Sequence, residues 1–293
     1  MTRFLDCRGT AARYFDWAAR EIAGMRRKPR LAAVLFRPRQ NPASLKYRDL
    51  ILKDAARLGV AVDGHEVEDE ESLLALLRRL NADRATMGVM LFYPLCCALK
   101  DEDVMDLVSP LKDVEGLHSM NLGYLIKFKR FLDEARGIKC VVPATAKAVV
   151  KILQAYPEIA IEGAFAVVVN NSMRVGKPLG LMLENLGATV MKCYDKTPRA
   201  LLEEQVRRAD ILVTAVPDPA FKLDVSWIKP GAVVVDVSYQ ENVDASALQG
   251  KALFITAPDN RIGAMTRAMT FINLVYCAKN VPLRRGSRVP ALG

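Results

Sequence analysis

The chain has 293 residues, 51% of them apolar and 26% charged, a globular balance that excludes a disordered or fibrous protein. No apolar run reaches the roughly 18 residues of a membrane span, and "MTRFLDCRGT" leads into an amphipathic segment, not a signal-peptide apolar region, so a soluble, cytoplasmic protein with no membrane partner is expected. The net charge of +9 is dispersed over short groups such as "RRKPR" (26–30) and the "LRRGSR" tail, with only 7% aromatics, which argues against nucleic acid as a partner and leaves a solvated surface that favours anionic ligands.

In chain order, a helical pattern at about 10–24 precedes an apolar run at 31–36 ("LAAVLF"), helices at about 44–58 and 70–83, and a second run at 87–92 ("MGVMLF"). A short helix follows at about 101–108, and "GYLIKFKRFLDEARG" (123–137) lacks a period and reads as a connection. The second half opens with a helix at about 144–155. It then runs through strands at 165–169, 189–194, 210–216, 232–238 and 253–256, with helices at about 178–186, 199–208 and 265–279. The strands are continuous apolar runs, as expected of parallel strands covered on both faces. The alternation predicts an α/β fold with right-handed crossovers. Composition divides the chain near "GIKCVVP", giving an N-terminal α/β domain over 1–140, completed by a returning helix at 268–293, and a second α/β domain over 141–267, with a cleft between them.

The six cysteines show no C-x-x-C spacing and read as small buried hydrophobes. His65 and His118 are the only histidines, which argues against a multi-histidine centre, and no metal is expected.

The most informative stretch is "VVVNNSMRVGKPLG" (167–180), a strand, a polar loop and small residues opening a helix. Such a turn holds a pyrophosphate over the free N–H groups and dipole of the helix N-terminus. The usual glycine fingerprint is absent. Asn170 and Asn171 tolerate left-handed backbone, Ser172 can donate to phosphate, Arg174 can neutralise it, and Gly176 allows close approach, with Val175 beside it and Pro178 suited to a first helical turn. After the next helix and strand stands Asp195, an acid placed to bind the adenosine ribose hydroxyls and repel a 2′-phosphate, with Thr197 as a helper. An ordinary strand-end turn residue is the plain alternative for Asp195. NAD is therefore favoured over NADP.

Four segments resemble the methylenetetrahydrofolate dehydrogenase/cyclohydrolase family of the FolD type. "NPASLKYRDLILKDAARLGV" (41–60) resembles its N-P-A-S-x-x-Y helix, and "PLKDVEGLHSMNLGYL" (110–125) its K-D-V-D-G segment. "NSMRVGKPLGLMLENLGATV" resembles its S-x-x-V-G-x-P segment, and "GAMT" (263–266) its closing G-P-M-T. The order and spacing match over nearly the whole chain. The resemblance implies a catalytic domain followed by a Rossmann-type NAD(P)-binding domain with a parallel sheet, a tetrahydrofolate derivative in the interdomain cleft, hydride transfer to the nicotinamide, and a homodimer. It also implies Tyr47 in the folate cleft, Glu115 as the acid that anchors the pterin, and Arg261 and Gly263 near the substrate.

The departures gather at the site. The family lysine four residues after the tyrosine is Ile51, and Lys53, about 200° around a helix from it, does not replace it. The glutamine that assists that lysine is Phe92, "PATAKA" (143–148) replaces P-C-T-P-x-G, and Asn260-Arg261 replaces a Gly-Gly pair. Arg261 is thus open to two readings, binding a glutamate-tail carboxylate or closing the pocket. Hydride transfer needs positioning, whereas hydrolysis needs a proton-handling group. The expectation is an NAD-dependent dehydrogenase without cyclohydrolase activity. Its rivals are a non-catalytic folate- or NAD-binding relative and an oxidoreductase of the same fold acting on another substrate.

Overall fold

A computed structural model describes residues 1–95, 97–259 and 261–280. Strand β1 (Arg3–Leu5) leads into helix α1 (Cys7–Ala23), capped by Asp6, whose carboxylate accepts from the Gly9 N–H at 2.8 Å. Strand β2 (Arg30–Phe36) precedes α2 (Pro42–Leu58). The Asn-Pro-Ala-Ser opening explains this start: Asn41 Oδ1 accepts from the Ser44 N–H at 3.1 Å and Pro42 takes a first-turn position, where its missing N–H costs nothing. Next come β3 (Ala61–Val67), α3 (Glu70–Ala82), β4 (Gly88–Leu91), α4 (Asp101–Met105) and α5 (Ser119–Ile126). A small hairpin, β5 (Phe131–Asp133) and β6 (Ile138–Lys139), connects to α6 (Ala144–Leu153). The chain then alternates through β7 (Phe165–Val169), α7 (Gly176–Glu184), β8 (Thr189–Cys193), α8 (Arg199–Arg208) and β9 (Ile211–Thr214). It ends with β10 (Val233–Asp236), β11 (Phe254–Thr256) and α9 (Gly263–Asn280).

Two parallel sheets carry these elements, one of three strands in the order β3-β2-β4 and one of six in the order β1-β11-β10-β9-β7-β8. This is the expected α/β architecture, and every expected strand and helix among the described residues is present within a few residues. Three differences have physical causes. Residues 3–5, expected in the first domain, pair with β11 and extend the six-stranded sheet. Strand β3 went unread because it is an edge strand, paired only with β2, and of its seven residues only Val67 is buried. The stretch 123–137, expected as a connection, holds the end of α5 and the hairpin. Helix α5 is nucleated by His118, whose Nδ1 accepts from the Met120 N–H at 2.9 Å.

Helix α9 is buried nearly all round and packs on α1 and α6, with the Phe15 and Phe271 rings 6.1 Å apart. It follows the second half in sequence and packs back on α1 of the first. Residues 281–293 of that expected segment, the basic tail and Asn260 lie outside the described residues. Cys7, Cys193 and Cys277 are buried thiols, Cys97 and Cys140 are partly buried, and Cys96 lies outside the described residues.

Candidate active site

The six-stranded sheet winds outward in both directions from β7, which lies between β8 and β9. Crevices at the carboxyl ends of strands at such a switch point are where open α/β sheets bind ligands. A cavity of about 540 Å³ opens there, lined by Asn170, Asn171 and Ser172 after β7, Tyr194 and Asp195 after β8, and Val216 to Asp218 after β9.

Asn170 organises the loop. Its Oδ1 accepts from the Ser172 N–H and hydroxyl, both at 2.8 Å, and from the Gly176 N–H at 2.9 Å, while its Nδ2 donates to the Ala215 carbonyl at 2.7 Å. Ser172 Oγ in turn accepts from the Val175 N–H at 3.1 Å. Gly176 is obligatory, since a Cβ there would stand 2.0 Å from the Asn170 carbonyl oxygen. One asparagine side chain therefore shapes the turn that three glycines shape in the common fingerprint. The cavity's position and its polar loop fit a dinucleotide, with Asn171 and Asp195 on its wall, while Ser172 directs both its N–H and its hydroxyl to Asn170.

Three expected residues stand differently from the sequence reading. Arg174, expected at the pyrophosphate, reaches across the cleft, and its Nη1 donates to the Tyr93 carbonyl at 2.9 Å. Thr197 Oγ1 accepts from the Tyr194 N–H at 2.9 Å and so holds the turn after β8. Asp195 does line the cavity, yet it is exposed and pairs with Lys196 Nζ at 2.9 Å, a hydrogen bond that holds its carboxyl below the usual range.

A second site lies between the two sheets. Cavities of about 350 and 230 Å³ adjoin there and share Tyr47, Glu115 and Arg174 on their walls. The larger is closed by Ser238 and Tyr239 after β10 and by Arg261, Gly263 and Thr266 at the start of α9. The smaller is backed by Phe92 and Ser44. Arg261 spans the mouth: its guanidinium donates to the carbonyls of Pro258, Ser238 and Tyr239 at 2.8–2.9 Å and lies 3.5 Å from Glu241. These contacts hold the guanidinium against the loop after β10, at the edge of the cavity.

Glu115 is the chemical centre of this cleft. Burial, reinforced by Asp113, pushes its carboxyl up to about 7, against the lowering influence of Arg174 and of the Thr270 hydroxyl 3.5 Å away. Asp113 plays the structural part, accepting from the Gly116 and His118 N–H groups, each at 2.8 Å. The turn it holds needs Gly116, which has φ +72° and no room for a Cβ beside Val142. The Tyr47 hydroxyl is buried without a hydrogen-bond partner among the described residues, and burial pushes its ionisation above the ordinary tyrosine value. Its ring meets Phe92 edge-on at 6.1 Å. A buried hydroxyl without a partner on a cavity wall has its hydrogen-bonding capacity free for a polar group that enters the cavity.

Ile51 is one turn further along α2, fully buried in the core, and lines neither cleft cavity. Sequence reasoning missed Asn170 as the loop's organiser, Tyr93 as the acceptor for Arg174, and Thr270 beside Glu115. No spacing rule signals any of these, because each depends on a partner distant in sequence or on side-chain direction.

An interdomain cleft beside a switch-point crevice defines a two-domain α/β protein of the dinucleotide-linked kind. Comparison with known proteins makes the class specific. The catalytic-domain model of tetrahydrofolate dehydrogenase/cyclohydrolase matches residues 5–115, and the NAD(P)-binding-domain model of the same family matches residues 143–281. A bifunctional protein FolD from Leuconostoc citreum is 33% identical, over 96% of this chain and 99% of that protein. Among solved structures, a 5,10-methylenetetrahydrofolate dehydrogenase from the silkworm Bombyx mori has a TM-score of 0.82 at 30% identity, covering 95% of this chain and 98% of that one. The bifunctional FolD of Campylobacter jejuni has a TM-score of 0.84 at 29% identity, covering 96% and 99%. The chain belongs to the tetrahydrofolate dehydrogenase/cyclohydrolase family.

Proposed function

We propose that the protein is an NAD-dependent 5,10-methylenetetrahydrofolate dehydrogenase that has lost cyclohydrolase activity. One observation carries this reading: at the position of the family's proton-handling lysine stands Ile51, fully buried, while the neighbouring cleft keeps Tyr47, Glu115 and the space to receive a folate. Both activities occur among its relatives. The Bombyx mori protein is a methylenetetrahydrofolate dehydrogenase and the bacterial proteins are bifunctional.

In this reading Glu115 binds the pterin's guanidine-like edge through paired hydrogen bonds. Tyr47 directs its unpartnered hydroxyl at the substrate, and its ring stacks beside the pterin. Phe92 borders the pocket and, with Arg261 at its mouth, keeps water from the reacting carbon once a folate is seated. Asn171, in the loop that Asn170 and Ser172 hold in shape, receives the pyrophosphate, and Asp195 binds the adenosine ribose. When bound, the nicotinamide accepts a hydride from the folate methylene bridge, whose nitrogen already activates that carbon, so the chain's task is alignment in a dry cleft. Hydrolysis of the methenyl product needs a group that gives and takes a proton at the reacting carbon, which typically contributes about 10²–10⁴-fold; in this reading Glu115, whose carboxyl lies at about 7, is committed to the pterin edge, and arginines such as Arg174 cannot serve because they stay charged. Homodimerisation remains part of the proposal, to be read from sedimentation of the purified chain.

The test is direct. Purified protein with NAD and methylenetetrahydrofolate is expected to generate reduced-cofactor absorbance while hydrolysing methenyltetrahydrofolate no faster than buffer. Folate binding without turnover would replace the enzyme by a binding relative. Rapid methenyl hydrolysis would remove the monofunctional reading.

A further inference from the structure

A cavity of about 680 Å³ lies away from both sites, between α1, α6 and α9. It shares no wall residue with the cleft or with the nucleotide crevice. Its charged wall residues are all cations: Arg13 and Arg20 from α1, Lys147 and Lys151 from α6. Among the described residues none of the four has a carboxylate within ion-pair distance. The remaining wall is aromatic, with Tyr14, Trp17 and Tyr276, and the Trp17 and Tyr276 rings meet edge-on at 6.0 Å. Lys139 adds a further cation, its Nζ 4.5 Å from the centre of the Tyr276 ring.

Four like charges converging on one concavity repel one another unless an anion joins them. Lys147 registers this crowding. Its Nζ has Asn273 Oδ1 as a hydrogen-bond partner at 3.1 Å, and burial together with Lys151 and Lys139 drives its ammonium down to about 7. Nearby acids do not relieve it. Glu21 is engaged by Lys279, and Asp16 is exposed on α1 and is not part of the wall. A cationic floor with aromatic walls, at a volume typical of ligand pockets, suits a ligand that carries both phosphates and a planar ring, since guanidinium and ammonium groups bind phosphate oxygens and the rings offer stacking faces.

We propose that this cavity is a nucleotide-binding site, distinct from the dinucleotide crevice, taking a ring-bearing polyphosphate whose phosphates contact Arg13, Arg20, Lys147 and Lys151. The site lies on the helix that also forms the cleft. Ala144 and Thr145 of α6 line the folate cavity, while Lys147 and Lys151 line this one. A bound nucleotide therefore ties the cleft-forming helix to α1 across the back of the molecule.

ATP is the probe, titrated by calorimetry into full-length protein already saturated with NAD so that the crevice is filled. Saturable binding is expected, weakened at least tenfold in the exposed pair Arg13→Gln/Arg20→Gln, whose folding is checked by its melting temperature, and again in Lys151→Gln. Binding abolished by NAD, or unchanged in these variants, would overturn the proposal. Pyrophosphate binding as tightly as ATP would overturn its nucleotide part, because the aromatic walls would then contribute nothing.

Discussion

Glu115→Gln isolates the electrostatic state of the cleft. Moving a carboxyl from 4.5 to about 7 corresponds to roughly 3 kcal/mol of disfavoured ionisation at full effect. Glu115 borders a cavity open to water, which screens part of this and leaves about 1–3 kcal/mol. The folded state holds the proton through the window from 4.5 to about 7 in which the unfolded chain has released it. Stability is therefore lost as pH rises through that window and stays lower above it. A glutamine has no proton to lose. The variant is expected to match the wild type near pH 5 and to exceed it by about 1–3 kcal/mol near pH 8, read from urea melts at several pH values. Taking the difference removes every titration common to both chains, including that of Asp113. A difference that stays flat across the range would mean that Glu115 is ionised throughout and solvated, and the account of its burial would be wrong. Folate binding should move the opposite way in the wild type. A carboxylate is the better acceptor for the pterin edge, so affinity rises with pH through about 7, and this dependence disappears in the variant.

Asp195→Ser is expected to shift cofactor preference toward NADP, and Lys196→Ala to reduce any use of NADP, since the two side chains pair at 2.9 Å at the edge of the crevice; the ratio of kcat/KM values for the two cofactors reads both. Ile51→Lys is expected to destabilise the fold by roughly 2–5 kcal/mol without restoring methenyl hydrolysis, because position 51 is fully buried; a stable variant that hydrolyses would place this side chain in the cleft. Arg267→Leu leaves the largely buried Asp54 with only the exposed Arg57 at 3.9 Å in place of its partner at 2.6 Å and is expected to cost up to about 3 kcal/mol, much of it recovered in Asp54→Ala/Arg267→Leu, as chemical melts of the two variants will report.

The alternation of elements was legible because buried parallel strands such as "FAVVV" leave continuous apolar runs. Strand β3 was not, because an edge strand with one buried residue carries no such run. At the site, motif spacing put Tyr47 and Glu115 together, and the structure has both on one cavity wall. It misdirected Arg174, whose place in the loop is set by the backbone but whose guanidinium goes wherever an acceptor lies, here the Tyr93 carbonyl 81 positions away in sequence. Helical spacing rightly put Ile51 one turn from Tyr47. It did not distinguish a residue on the cleft wall from one just beneath it, where the structure has Ile51.

That last distinction bears on why the charge pattern of α2 is coherent. Asp54 follows Ile51 by three residues, on the same helical face, and grips Arg267 of α9. The Arg267 charge is close enough to act on the Tyr47 phenol. A lysine at position 51 would stand in the core, one turn before Asp54, whose carboxylate is already engaged by Arg267. Desolvation would favour its neutral form. The cation beside Tyr47 is a guanidinium, which orients neighbours but does not exchange protons at working pH. Tyr47 lies on the cleft wall, while the side chain one turn below it is part of the core that holds the two halves together.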